Sequence, residues 1–486
     1  MFEKMHKGEA DGTYSPHTTA TKKPTLEAMS DVPSDLSAAV QELENIFTIS
    51  SAKLNSITDH FVEELEKGLT GEGANIPMNV TWVFGFPTGN EEGEYVTLDM
   101  GGTNLRVCYV VLTNRRGEYK ILQDKCPLPD GLKSGTAEQL WGFVADCTGK
   151  FLRENNLVHP GKKEKLPLSF TFSFPVTQAN IRSGILQRWT KGFDVDGVEG
   201  HDVVPQLEKA FAEKNVPVEI VAVVNDTTGT LIASAYQDPE IKIGSIFSTG
   251  VNAAYMERFK AIPKIRSHNL PDDTEIAINT EYGAFDNDKK VLPRTRFDDQ
   301  IDQESARPGQ QLYEKMVAGL YVGELLRCVF LELHHRGLLF RGRDITAVQE
   351  KSGLDSAFMS TVEQNNTKSM AGIAEECKRL FGFEPELYEL EVIRFLTKLI
   401  ATRAARLYAC GIAAVARKQG LERCHVGVDG SVFHCYAHFQ ERAAQALKEI
   451  MDWPEEDPQR ITLVSAQDGS GVGAALIAAL ALRRSQ

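Results

Sequence analysis

The sequence predicts an α/β protein in two halves, each folding a mixed sheet about a glycine-containing turn, with a cleft between them. The first observation is the stretch Leu98-Asp99-Met100-Gly101-Gly102-Thr103-Asn104-Leu105-Arg106, set between β-branched, apolar runs at 94–98 and 105–112. Two strands joined by a glycine pair make a hairpin. The second is a repeat of that theme, in which 243–248 leads through Thr249-Gly250-Val251-Asn252 into 253–259. The third is the alternation of helical and strand patterns after the first hairpin, which gives a mixed sheet with crossovers. Used twice, such a hairpin places two phosphate-holding turns on facing walls of one cleft; two unrelated turns of similar composition are the alternative.

The glycines of the first turn let the backbone approach a ligand, and the Thr103 hydroxyl with nearby N–H groups can line an anion site. Asp99 would repel a bare phosphate. It makes sense facing a metal ion or its water shell, which a triphosphate brings with it. From these residues alone, a tight hairpin with a solvated aspartate is the other reading.

Composition narrows the field. With 486 residues, 42% of them hydrophobic, the chain has material for two or more domains. A formal charge of −14 argues against a nucleic-acid partner, which would need a basic face, so an anionic substrate must be held by local donors. Eight scattered cysteines without CxxC spacing read as free thiols of a reducing cytosol. No signal-peptide core is expected, no run is expected to approach a membrane span, and the Met-Phe start excludes myristoylation.

In chain order, residues 1–33 lack any sustained period and are expected to be a mobile arm. Val40, Leu43, Phe47, Leu54, Ile57, Phe61, Leu65 and Leu69 then trace one apolar stripe, predicting a single long helix. After the connector 75–78 come strands at 94–98, 105–112 and 119–123 and a helix over 137–154. A strand over 166–174 delivers Ser173-Phe174-Pro175, and one over 218–224 delivers Asn225-Asp226 ahead of a helix. Long helices are expected near 308–336 and 386–419. Val426-Gly427-Val428-Asp429-Gly430-Ser431 and Gln467-Asp468-Gly469-Ser470-Gly471-Val472-Gly473 each read as a glycine turn between a strand and a helix N-terminus, where anions or nucleotide polar groups are favoured. The final helix, about 472–483, is expected to return to the first unit.

The strings LDMGGTNLRV, FTFSFPVTQ, WTKGF, VNDTTGT, INTEYGAFDN, RPGQQLYEKM, GVDGS and DGSGVGAA occur in that order. With them the chain resembles the hexokinases over about residues 35–486, and most the fungal glucokinase and hexokinase branch with one catalytic unit. The resemblance implies the two-lobed fold of the sugar-kinase, actin and heat-shock ATPase superfamily, ribonuclease H-like, with a deep interdomain cleft. It implies a small domain of 79–224 with 471–486 and a large one of 34–78 with 225–470. ATP and glucose, with other hexoses as further substrates, would meet in the cleft.

By resemblance the sugar contacts are Ser173, Thr190, Lys191, Asn225, Asp226, Asn252, Glu281, Gln311 and Glu314. Carboxylates and amides suit hydroxyls that both donate and accept. Asp226 is the expected catalytic base for the 6-hydroxyl, with Lys191 orienting that hydroxyl. Asp99, Gly101, Gly102, Thr103, Asn104 and Arg106 are assigned to the phosphates and magnesium, Thr249 and Gly250 to the γ-phosphate, and Gly430 with Ser431 to the adenosine. Magnesium would ride on ATP phosphates and waters, without a protein metal cage. A monomer or homodimer in the cytoplasm is expected. One departure stands out: Ser248 replaces the first glycine of the family's Gly-Thr-Gly turn, which is harmful if that position needs positive φ and harmless otherwise. It motivates an alternative reading as a weakly catalytic glucose sensor.

Overall fold

A computed structural model describes residues 32–71, 73–157, 165–190, 192–351, 353–365, 369–457, 459–466 and 468–485. The expected arm thus lies outside the described residues except for its last two, and so does Lys191. Two mixed sheets dominate. One has the order β4-β3-β2-β5-β8, from β2 (Glu92–Met100), β3 (Asn104–Thr113), β4 (Tyr119–Pro127), β5 (Leu166–Phe172) and β8 (Val218–Val224). The other has the order β1-β11-β10-β9-β12-β13, from β1 (Asn79–Phe84), β9 (Ile241–Phe247), β10 (Val251–Arg258), β11 (Glu275–Asn279), β12 (Cys424–Asp429) and β13 (Ile461–Ser465). A short ribbon pairs β6 (Val176–Thr177) with β7 (Ile185–Leu186).

Before the sheets lie α1 (Ser34–Phe47) and α2 (Ser51–Thr70). α3 (Ala137–Glu154) and α4 (Val203–Glu213) cover one face of the five-stranded sheet, their Trp141, Val144, Leu207 and Phe211 meeting Val96, Leu98 and Phe170. The opposite face is covered by α5 (Asp226–Gln237) and the last helix of the chain. The large lobe continues through α6 (Arg296–Glu304), α7 (Leu312–Val317), α8 (Gly319–His335), α9 (Thr346–Gln349), α10 (Ser356–Gln364), α11 (Ala371–Phe381) and α12 (Leu387–Gln419). α13 (Ser431–Cys435), α14 (Phe439–Met451) and α15 (Ala474–Ser485) close the chain. One core joins Tyr95, Val110 and Ala222 of the first sheet to Ala254, Met256 and Ala277 of the second through Leu231 and Ile232 of α5 and Leu476 and Ile477 of α15. Side chains alternate across a strand, so Val96 and Leu98 face α3 and α4 while Tyr95 faces this middle layer. The return of the final helix to the first unit is as the sequence predicts.

Three expectations change. The single helix through 36–69 is two, because Thr48 turns extended and Ser50 caps α2 by accepting from Lys53 N at 3.3 Å. The seven-residue step from Phe47 to Leu54 keeps the stripe in phase across the break, which hid it. The helix expected near 308–336 is also split, with Ala318 extended between α7 and α8. That break frees Gly319 N to donate to Ser248 O at 2.8 Å. Residues 79–84, placed with the small domain, form β1, which pairs antiparallel with β11 in the large lobe's sheet. A hairpin pattern cannot reveal that a strand pairs with one about 200 residues later.

α12 also revises the expectation about membrane-span runs: an 18-residue window of mean hydropathy 1.4 is apolar and long enough to cross a bilayer. In this structure 89% of that window is buried within the protein. Apolar residues on every side of a helix are the mark of a core helix as well as of a span.

Candidate active site

Strand direction places the small lobe's residues. β2, β5 and β8 run parallel, with Asp99 beside Thr171 and Thr171 beside Val224. Their C-terminal ends therefore deliver the turn 101–104, Ser173 and the pair Asn225-Asp226 at one edge of the sheet. Adjacent strands lie ~4.8 Å apart, so Asp99 and Asp226 start from positions ~10 Å apart, room for a phosphoryl group and a metal ion.

Asn225 caps α5, its Oδ1 accepting from Thr227 N at 2.8 Å. Asp226 is the first residue of that helix, where the dipole favours a carboxylate. Its Oδ1 accepts from Thr227 N at 2.7 Å and from Thr227 Oγ1 at 3.2 Å. No bond to another described residue falls on Oδ2. Thr227 and Thr228 are fully buried, so the helix start is held rigidly.

The large lobe supplies the opposite wall. β10 begins beside the end of β11, with Ala254 paired to Asn279, so Asn252 and Glu281 meet there. Asn252 Nδ2 donates to Glu281 Oε1 at 2.9 Å and to Asn279 Oδ1 at 2.8 Å, while its Oδ1 accepts from Glu281 N at 3.0 Å. Glu314 Oε2 accepts from Val251 N at 3.1 Å, and a Cβ on Gly250 would stand 2.8 Å from that oxygen. Glu281 and Gln311 are left-handed, with φ of 55° and 56°. That region costs a residue bearing a Cβ roughly 1–3 kcal/mol and is concentrated at functional sites. Gln311 is thus the residue before α7, not part of the same helical face as Glu314.

Between the lobes lies a cavity of about 330 Å³ lined by Pro175, Gln187 and Arg188 on one side and Glu281, Asn287 and Gln311 on the other. Gln311 Oε1 and Arg188 Nε are buried there without a hydrogen-bond partner among the described residues. Burial and the neighbouring Arg307 push Arg188 below its ordinary value. From the large lobe, Arg307 donates to Trp189 O at 3.0 Å, fixing the chain just before Thr190. The Trp189 ring stacks on Phe193 with centroids 5.3 Å apart and its Nε1 donates to Val195 O at 3.1 Å.

The nucleotide-side expectations are partly redistributed. Gly101 N donates to Asn104 O at 3.2 Å, Asn104 Nδ2 donates to the Thr103 hydroxyl at 2.9 Å, and both side chains are exposed. Arg106, expected on the phosphates, is held by Asp468 at 2.6 Å and Ser470 Oγ at 2.7 Å. Ser470 Oγ also donates to Asp99 Oδ2 at 2.6 Å. Burial lowers the Arg106 guanidinium, but Cys108, Asp468 and Asp99 around it outweigh that and leave it above its ordinary value. Asp468 and Ser470 were present in the quoted DGSGVGAA string, yet nothing in their spacing pointed to Arg106, which is more than 360 residues away.

In the large lobe, β9 and β12 run parallel, Ile246 beside Asp429, so the turns after them lie side by side. These are Thr249-Gly250 and Gly430-Ser431. Gly430 has φ of 129°, and a Cβ there would meet Phe247 O at 2.3 Å. The expected anion-favouring helix start is weak here, since α13 has five residues. The second glycine turn passes through a single π-helical turn, Gly469–Gly473, before α15. Ser248 is absent from the residues with positive φ, so its Cβ is tolerated. Ligand atoms of His60, Asp286 and Asp288 lie within 4.8 Å of one another. Asp286 there accepts from the backbone N–H groups of Lys290, Val291 and Leu292, and Asp288 pairs with Lys290 at 2.5 Å, which occupies their oxygens.

Family models described as hexokinase match residues 39–236 and 242–480. A hexokinase of Emericella nidulans is 53% identical over 460 residues, covering 94% of this chain and 93% of that protein. Hexokinase-2 of Saccharomyces cerevisiae is 45% identical, covering 95% and 96%. Among solved structures, a Schistosoma mansoni hexokinase complexed with glucose superposes with a TM-score of 0.82 at 34% identity, covering 92% of this chain and 99% of that one.

Proposed function

The chain belongs to the hexokinase family, and from that premise we infer that its cleft transfers the γ-phosphoryl group of ATP to the 6-hydroxyl of glucose, giving glucose 6-phosphate and ADP. The observation that carries the reading to these residues is the amide oxygen of Gln311, unpartnered among the described residues, beside the left-handed Glu281 in a polar cavity between the lobes. A buried acceptor without a donor is costly unless a ligand supplies one, and a sugar hydroxyl does so. Ser173 and Thr190 would meet the sugar from the small lobe, and Asn225, Asn252, Glu281, Gln311 and Glu314 would complete its shell. Asp226 Oδ2 takes the 6-hydroxyl proton as the bond to phosphorus forms.

Magnesium belongs to this reading as the partner of the ATP phosphates, with Asp99 accepting from its water shell. The turns 101–104 and 249–250 would hold phosphates, and Gly430 with Ser431 the adenosine. Lys191, family-matched, would steady the hydroxyl. Other hexoses, a cytoplasmic location, no membrane insertion, and a monomeric or homodimeric state belong to the same proposal. No observation favours the sensor reading, because the backbone at Ser248 is compatible with a phosphate turn.

A coupled glucose 6-phosphate assay with purified protein and Mg-ATP tests the function directly; absence of turnover with glucose would refute it. Arg307→Met gives a finer test. Losing the Arg307 to Trp189 carbonyl bond frees the chain before Thr190, so the KM for glucose should rise about tenfold to a hundredfold, on the scale of one hydrogen bond from a charged donor. An unchanged KM would remove Arg307 from the sugar site.

A further inference from the structure

Ser248 and Ser431 meet hydroxyl to hydroxyl at 3.0 Å, between the turn after β9 and the turn after β12. We propose that this pair is a nucleotide-binding element, with Ser248 setting its affinity for the phosphate and ribose portion of ATP. The inference rests on the reading of the cleft as an ATP site and deepens it.

The geometry is fixed by the backbone. Ser248 N donates to Gly250 O at 3.0 Å, and Ser248 O accepts from Gly319 N at 2.8 Å. Gly319 fits because a Cβ there would press on Val432 Cγ2 at 2.4 Å and Ser248 O at 2.7 Å. The start of α8 therefore clamps both turns together. On the other side, the Ser248 Cβ lies 3.0 Å from where a Gly430 Cβ would be. With its amide and carbonyl both engaged, Ser248 has only χ1 and the hydroxyl rotor left to set.

Proton counting then gives the pair a function. Two hydroxyls carry two protons, and the bond between them uses one. One O–H remains to be donated outward, and neither hydroxyl has another hydrogen-bond partner among the described residues. Ser431 is exposed and Ser248 half-buried, so the free proton faces a ligand-accessible surface. It lies beside the turns expected to hold the γ-phosphate and the adenosine. A nucleoside di- or triphosphate is the ligand that would run from one turn to the other, and its phosphate or ribose oxygens accept such a proton. A glycine at 248 would leave Ser431 without its partner, so this serine adds a donor where the related turn has none.

The test uses the full-length protein with three variants, Ser248→Ala, Ser431→Ala and the double replacement. The KM for Mg-ATP and the dissociation constant of a non-hydrolysable ATP analogue, measured by calorimetry, should each rise about twofold to tenfold in the single variants, the range for one neutral hydrogen bond. Because the two hydroxyls act as one donor, the double variant should lose no more than about the larger single loss. Glucose affinity without nucleotide and the melting temperature should stay near wild type. Wild-type nucleotide affinity in Ser248→Ala, or a fall in melting temperature with no change in nucleotide binding, would overturn the proposal and leave the pair as a surface strut. Wild-type protein lacking turnover would instead count against the kinase reading, so the two failures are distinct.

Discussion

Asp226→Ala should lower kcat by about 10²–10⁴, the usual contribution of a positioned general base, while leaving glucose affinity within about twofold. The asymmetry follows from the site. On the proposed reading, sugar binding is spread over Asn252, Glu281, Gln311 and Glu314 across the cleft, whereas proton removal rests on the Asp226 carboxylate alone. Asp226→Asn is the sharper companion, since an amide oxygen still accepts from Thr227 N at 2.7 Å and the start of α5 is kept. It should lose kcat as severely as alanine with a melting temperature near wild type. Wild-type turnover in either variant, read in the coupled assay, would remove Asp226 from the chemistry.

Gly473→Val should be the most damaging change away from the reacting groups. A Cβ on Gly473 would stand 2.1 Å from Gly229 O, and one on Gly229 would stand 2.4 Å from Gly469 O. Backbone faces backbone here, so no side chain can swing aside to relieve the overlap. Overpacking typically costs about 1–3 kcal/mol, and a contact with two fixed main chains belongs at or above the top of that range. The π-helical turn would have to lift from α5, loosening Asp468 and Ser470 from Arg106. A large fall in melting temperature by calorimetry, with weakened ATP binding in whatever remains folded, is the expected result. Gly142→Ala is the control: nothing lies within 4 Å of a Cβ there, so stability should be unchanged or slightly higher.

Local pattern carried the hairpin strands and the longest helices, because alternation and the 3.6-residue period are properties of short windows. The helix over 137–154 and the strand over 218–224 match those patterns to the residue. What escaped were features set by distant partners. The period of seven concealed the break at Thr48 to Ser50, and β1 pairs with a strand about 200 residues away. The site divides in the same way. Asn252, Glu281, Gln311 and Glu314 gather as the motif strings suggest, and Asn225 and Asp226 sit at a strand end. Arg106 is different: its protein partners, Asp468 and Ser470, are invisible without the fold. Ser248 shows the reverse, since its effect depended on a backbone angle that composition does not encode.

α12 has a consequence for how the chain reaches its folded state. Its covering partner α14 and the strands β12 and β13 all come later in the sequence, so during synthesis a greasy 33-residue rod leaves the ribosome before they exist. Such a segment is a ready target for chaperones and for sticking to its own copies. Heat should therefore inactivate the protein irreversibly, through precipitation, well before an equilibrium between folded and unfolded forms can be measured.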